Sequence, residues 1–237
     1  MPVMWTRPFI WAPPPSPPSP SMDELVAAAN QFAVPDGRLS CTAASVCCAR
    51  LLLDKGATSL TKDDLNRLLR AGARLSRQWH DAGGPTTAAS SLQCWTDVVR
   101  VFPALLDGSR ATYETNGFFD ASAVPPSDEY TGYVAFATAL DALAAHSPQA
   151  GVLTAQRGSY AVAYDAPFWY VFDPHGTHHT SHAHHPQPAT LRRTRDRALF
   201  HRYVARHVVD ARPSTEFQVV LFTATPTSAS ASSVPSV

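Results

Sequence analysis

Three short apolar runs crowd into the stretch from Gly151 to Phe172, and their spacing restricts what the chain can become. Gly151–Ala155 is followed after Arg157-Gly158-Ser159 by Tyr160–Tyr164, and then by Phe168-Trp169-Tyr170-Val171-Phe172. Strand-forming residues separated only by Gly- and Pro-bearing turns favour antiparallel hairpins. A fourth run, Phe217–Phe222, closes the set. The earlier part of the chain has helical periodicity instead. From Ser40 to about Asp54, Ala44, Cys47, Cys48, Leu51 and Leu52 recur at the spacing of one buried stripe, with Gly56 as a stop. Thr61-Lys62-Asp63-Asp64 resembles a capping box that opens a second helix with Leu65, Leu68 and Leu69 inward, ending at Gly72. Further helices are expected over Thr87–Val99, Gly132–Ala145 and, with most of the remaining Arg, Ala189–His207. Helices first, strands later and one more strand after a helix is an α+β order, not a repeating βαβ one.

Proline marks where the domain begins. Eight of the 21 prolines fall within the first twenty positions, so residues 1–21 read as a disordered Pro/Ser-rich tail. The uncharged Ser/Ala/Pro stretch 225–237 reads as a second tail. That leaves 22–224 as one continuous patterned domain. The beginning is too broken by proline to read as a secretory signal. No window approaches the ~18 uninterrupted apolar residues of a spanning helix. Cys41, Cys47, Cys48 and Cys94 have no metal-type spacing and are expected as free thiols in a reducing, cytoplasmic setting. The 19 Lys and Arg balance the 19 Asp and Glu, which argues against a general nucleic-acid binder.

Asp173-Pro174-His175 closes the most hydrophobic strand. Residues two apart in an extended segment point the same way, so the carboxylate and the imidazole can stand side by side. Pro174 lacks an N–H and places the pair at a strand end or edge. A carboxylate beside an imidazole fixes its tautomer and stabilises its charged form. Seen alone, Asp-Pro-His-Gly is also ordinary turn composition. Cys41 adds to it. With Ser40 as N-cap, Cys41 falls in the first turn of the first long helix, where unpaired amides and the helix dipole favour thiolate. Cys47 and Cys48 lie deeper and are assigned to the core, as is Cys94. Gln31, ten residues before Cys41, is a side-chain amide that can serve a developing oxyanion together with a helix-start N–H. Nucleophile, base, orienter and oxyanion donor make a complete set.

These residues carry a resemblance. Asn30-Gln31-Phe32, a Gly-containing loop and Ser40-Cys41 look like the start of the N-terminal protease of the herpesvirus large tegument protein. Tyr170–Gly176 resembles that family's second motif, and Phe217–Phe222 its closing strand. The resemblance implies a papain-like cysteine protease fold, with the nucleophile at a helix N-terminus packed on a mostly antiparallel sheet. It implies isopeptidase activity on ubiquitin and NEDD8, with Cys41 as nucleophile, His175 as base, Asp173 as orienting acid and Gln31 as oxyanion-hole donor. It calls for no metal or cofactor, and for ubiquitin and ubiquitinated proteins as partners of a monomer in the host-cell cytoplasm or nucleus. The stretch of about 75–150 matches nothing in the family's motifs.

Other readings compete. The same triad serves other papain-like peptidases and acyltransferases. His175, His178, His179, His182, His184 and His185 form a tract that could bind metal in a non-catalytic module, although no Cys or Asp ligands are interleaved. A solvated loop after the Asp-Pro-His strand is the expected reading. Arg192, Arg193, Arg195, Arg197, Arg202 and Arg206 are expected to spread around a solvated helix, with their stems packed down.

Overall fold

The computed structural model describes residues 22–82, 99, 103–123, 125, 127–156, 158–176 and 187–224. Its centre is an eight-stranded sheet in the order β1-β7-β6-β5-β4-β8-β2-β3. The strands are β1 Asp23–Val26, β2 Ser109–Phe118, β3 Val134–Ala135, β4 Gln149–Ala155, β5 Gly158–Asp165, β6 Phe168–Asp173, β7 Thr190–Thr194 and β8 Glu216–Ala224. Every pairing is antiparallel except the two-residue contact of β2 with β3. The expected hairpin β4–β5–β6 forms its middle.

Alternation divides the side chains between two faces. In β6, Tyr170 and Phe172 face one core with Ala150, Val152 and Val220, where α1 (Cys41–Lys55) and α2 (Lys62–Asp81) cover the sheet. Trp169 and Val171 face the other core with Leu153, Val219 and Leu221, covered by α3 (Phe136–Ala144) and α4 (Arg197–Tyr203). The fold is therefore α+β with helices on both faces.

Several expectations are corrected. The stretch Ala189–His207 is not one helix: Thr190–Thr194 is strand β7, held between β6 and β1. Its Arg192 and Arg193 bond Glu24 and Asp23 across the pairing, at 2.7 and 3.0 Å. The short α4 follows, and one π turn, Val204–Val208, ends it. The expected solvated helix surface therefore holds for Arg197, Arg202 and Arg206 but not for Arg192, Arg193 and Arg195. Arg193 and Arg195 lie over the Phe168 ring at 5.0 and 4.7 Å, and Arg197 bonds Asp141.

The capping box forms, with Thr61 accepting from the Asp64 amide and the Asp64 carboxylate accepting from that of Thr61. Yet α2 runs on past Gly72 to Asp81. Gly72 is there because the helices touch: a Cβ on it would stand 2.7 Å from the Ala44 Cβ of α1. The fourth expected helix begins later than Gly132, since Val134 and Ala135 pair with β2. Strand β2 had no counterpart in the sequence reading. The helix expected over Thr87–Val99, and with it Cys94, lies outside the described residues apart from Val99, which is helical. Both tails lie outside them too. No helix among the described residues is long and apolar enough to cross a membrane.

Candidate active site

Cys41 is the first residue of α1 and is 8% exposed. Polar side chains anchor this helix end to the sheet: Thr42 Oγ1 lies 2.9 Å from Ser159 Oγ, and Ser45 Oγ donates to the Ser159 carbonyl at 3.0 Å. All three are fully buried, and Thr154 of β4 joins them through Ser159 at 3.1 Å. Ser40 holds the N-cap position but does not cap. Its hydroxyl donates backwards to the Gly37 carbonyl at 2.8 Å, so no side chain covers the first amides of α1. The expected cap is thus corrected, and the positive end of the helix is left facing the thiol.

Asp173 ends β6 and His175 follows in the turn. One carboxylate oxygen, Asp173 Oδ1, accepts from the His175 amide at 2.9 Å and lies 3.0 Å from His175 Nδ1. Both residues are buried. The imidazole and the Cys41 thiol lie close enough to shift one another's proton affinity. Tyr160 packs its ring 5.2 Å from the imidazole, and Phe32, 54% exposed, approaches at 6.0 Å from the open side. Gly158 completes the wall: a Cβ there would meet the Tyr160 hydroxyl at 2.6 Å and His175 Cε1 at 3.0 Å.

Gln31 is held beside this pair by its backbone. Its amide donates to the Pro174 carbonyl at 2.9 Å. Asn30 accepts from the Phe32 and Ala33 amides and donates to the Gln187 carbonyl at 2.7 Å. The short turn carrying Gln31 is thereby tied to Pro174 and to Gln187. Gly37 is required beneath it, since a Cβ would stand 2.0 Å from the Gln31 carbonyl oxygen. The Gln31 side chain is 2% exposed, and its Oε1 has no hydrogen-bond partner among the described residues.

The three thiols among the described residues differ as their surroundings require. For Cys41, burial is the largest single influence and works upward. The hydrogen bond and charge of His175, the Ser159 backbone and the Thr42 hydroxyl together outweigh it, leaving the thiol below its ordinary 9.0. Burial pushes Cys47 up to about 12 and raises Cys48 still further. His175 is lowered most by burial, but the hydrogen bonds of Asp173 and Cys41 and both their charges raise it from 6.5 to about 9. Both directions favour a thiolate–imidazolium pair.

All four residues singled out from the sequence thus come to one place, the end of β6 against the start of α1. Ser159, Tyr160, Gly158, Thr42 and Phe32 escaped sequence reasoning. The Arg157-Gly158-Ser159 turn was visible only as a turn. His178–His185 lie outside the described residues, and among those described no group of three metal-ligating side chains is placed to hold an ion.

The profile of the family described as "Herpesvirus tegument protein, N-terminal conserved region" matches residues 26–226. Among solved structures, the chain is similar to the ubiquitin-specific protease encoded by murine cytomegalovirus tegument protein M48, determined in complex with a ubiquitin-based suicide substrate. The two share 18% identity and superpose with a TM-score of 0.62, over 88% of this chain and 89% of that one. No curated protein sequence matches the chain.

Proposed function

The chain belongs to the family of herpesvirus tegument protein N-terminal regions, and on that premise we propose that it is a papain-like cysteine isopeptidase cleaving after the C-terminal Gly-Gly of ubiquitin. The observation that carries the reading is the buried Asp173–His175 pair, at 3.0 Å, set beside Cys41 at an uncapped helix start. The M48 relative, solved with a ubiquitin-based suicide substrate, supports the choice of modifier. NEDD8 is the second modifier proposed.

In this reading the Cys41 thiolate attacks the carbonyl carbon of the terminal glycine. The developing oxyanion is met by the Gln31 side-chain amide and an amide at the start of α1. His175, oriented by Asp173, gives its proton to the leaving lysine amine, and a thioester on Cys41 remains. His175 then takes a proton from water, whose oxygen displaces the thiolate and releases the glycine carboxylate. Walls formed by Tyr160, Gly158 and Phe32 favour a substrate end without side chains.

Ubiquitin carrying a C-terminal electrophile tests the reading. A covalent adduct that is lost in Cys41→Ala is expected. Failure of both ubiquitin and NEDD8 probes to label Cys41 would sink it. Labelling by unrelated acyl electrophiles alone would point instead to another papain-like peptidase or acyltransferase.

A further inference from the structure

Away from the catalytic constellation, α1 and α2 enclose a groove of about 820 Å³. Its floor is apolar, with Leu51 from α1 and Leu68 and Ala71 from α2, and Val34 and Pro35 close one end. Its rim is cationic. Arg67, Arg70, Arg74 and Arg77 line it from α2, and Lys55 from α1. The spacings of three, four and three residues put the arginines in one row along the helix, about 15 Å long at ~1.5 Å per residue.

The local charge is poorly balanced. Lys55 and Arg67 share one carboxylate, Asp64, at 3.3 and 2.7 Å, and Arg77 pairs with Asp36. Arg70 and Arg74 make no ion pair among the described residues. In a chain whose formal charge sums to zero, this row concentrates positive charge beside apolar surface. The groove is concave, so a flat bilayer would not reach its floor. Among the described residues no aromatic side chain lines it for stacking bases. The chain's own remaining segments are poor occupants as well: outside the described residues, Asp97 is the only acidic side chain.

We infer that this groove docks an acidic segment of another protein, whose apolar side chains fill the floor while its carboxylates pair with Arg70 and Arg74. Guanidinium groups suit this task because they bind carboxylates in bidentate fashion. The closed end of the groove is the loop that follows Gln31, and Arg77 ties α2 to it through Asp36. A docked partner would therefore lie next to the turn that carries Gln31.

Docking does not require Cys41, so binding measured on full-length Cys41→Ala protein separates it from catalysis. The probe is a short fluorescein-labelled peptide in which Glu alternates with Leu and Phe, followed by anisotropy. Four competitors are a poly-Glu peptide, the same peptide with Lys for Glu, a single-stranded DNA oligonucleotide and phosphatidylserine vesicles. The Glu/Leu/Phe peptide is expected to bind at least tenfold tighter than any competitor, and more weakly as salt rises. Arg70→Glu/Arg74→Glu should weaken it at least tenfold, and the milder Arg70→Gln/Arg74→Gln severalfold, with melting temperatures unchanged. Equal binding to wild type and to the folded Gln/Gln variant would overturn the inference. So would DNA, vesicles or poly-Glu binding as tightly as the peptide.

Discussion

Replacing Asp173 with Asn removes one charge from the buried pair and little else, because the volume and an acceptor oxygen for the His175 amide are retained. The consequence can be worked from the environment of His175. Its rise from 6.5 to about 9 amounts to about 3 kcal/mol of preference for the protonated ring, at ~1.4 kcal/mol per tenfold change in proton affinity. Burial, the largest influence, opposes that rise, and the hydrogen bond of Asp173 is the foremost group overcoming it. Without the carboxylate, burial is offset only by Cys41, and the proton affinity of the ring should fall well over tenfold, towards or below the ordinary 6.5. Stability should follow. A folded-state value above the unfolded one gives stabilisation that is complete below pH 6.5 and is lost as pH rises through about 9. The stability gap between wild type and Asp173→Asn should therefore be widest below pH 6.5 and close towards pH 9. Titration of the His175 Cε1–H resonance by NMR, with urea unfolding at several pH values, measures both. An Asp173→Asn protein whose His175 still titrates near 9 would refute the assignment of its charge to this pair.

Two further outcomes are expected. Gly72→Ala should destabilise the protein by about 1–2 kcal/mol in urea or thermal unfolding. The gain in helix propensity of ~1 kcal/mol is outweighed by a Cβ 2.7 Å from Ala44 Cβ and 2.8 Å from its backbone nitrogen; a stabilised variant would mean that the helices can separate without loss. Gln31→Ala should lower kcat for a ubiquitin C-terminal amide about 10²–10³-fold with KM little changed, and a kcat within twofold of wild type would remove Gln31 from the oxyanion site.

What the sequence disclosed was what local pattern controls. The stripe through Ala44, Cys48 and Leu52 placed α1 to within a residue, and the Asp173/His175 spacing placed two side chains on one strand end. The failures are non-local. Thr190-Leu191-Arg192-Arg193-Thr194 is too short and too charged to stand out as a strand, and it becomes β7 because β6, β1 and the carboxylates of Asp23 and Glu24 receive it. Gly72 reads as a stop, but the neighbour that explains it, Ala44, lies in another helix. Ser40 has the identity of a cap, and only the approach of the Gly37 carbonyl shows that its hydroxyl is already engaged. Strand β2 is half-exposed, with few apolar residues to mark it. The alignment of Gln31 rests on a bond to Pro174, far along the chain.

The pairing of the start of α1 with β5 and the end of β6 also sets a timetable. Residue 41 leaves the ribosome long before residue 175, and β1 waits longer still for β7, the strand it pairs with. At synthesis rates of about 5–20 residues per second, the thiol exists for roughly 7–27 s before the imidazole that lowers its proton affinity has been made. Contacts this distant in sequence are also slow to close once both ends are present. During its own translation the chain therefore carries Cys41 as an ordinary thiol, and a product truncated before Asp173 would lack the pair that makes it reactive.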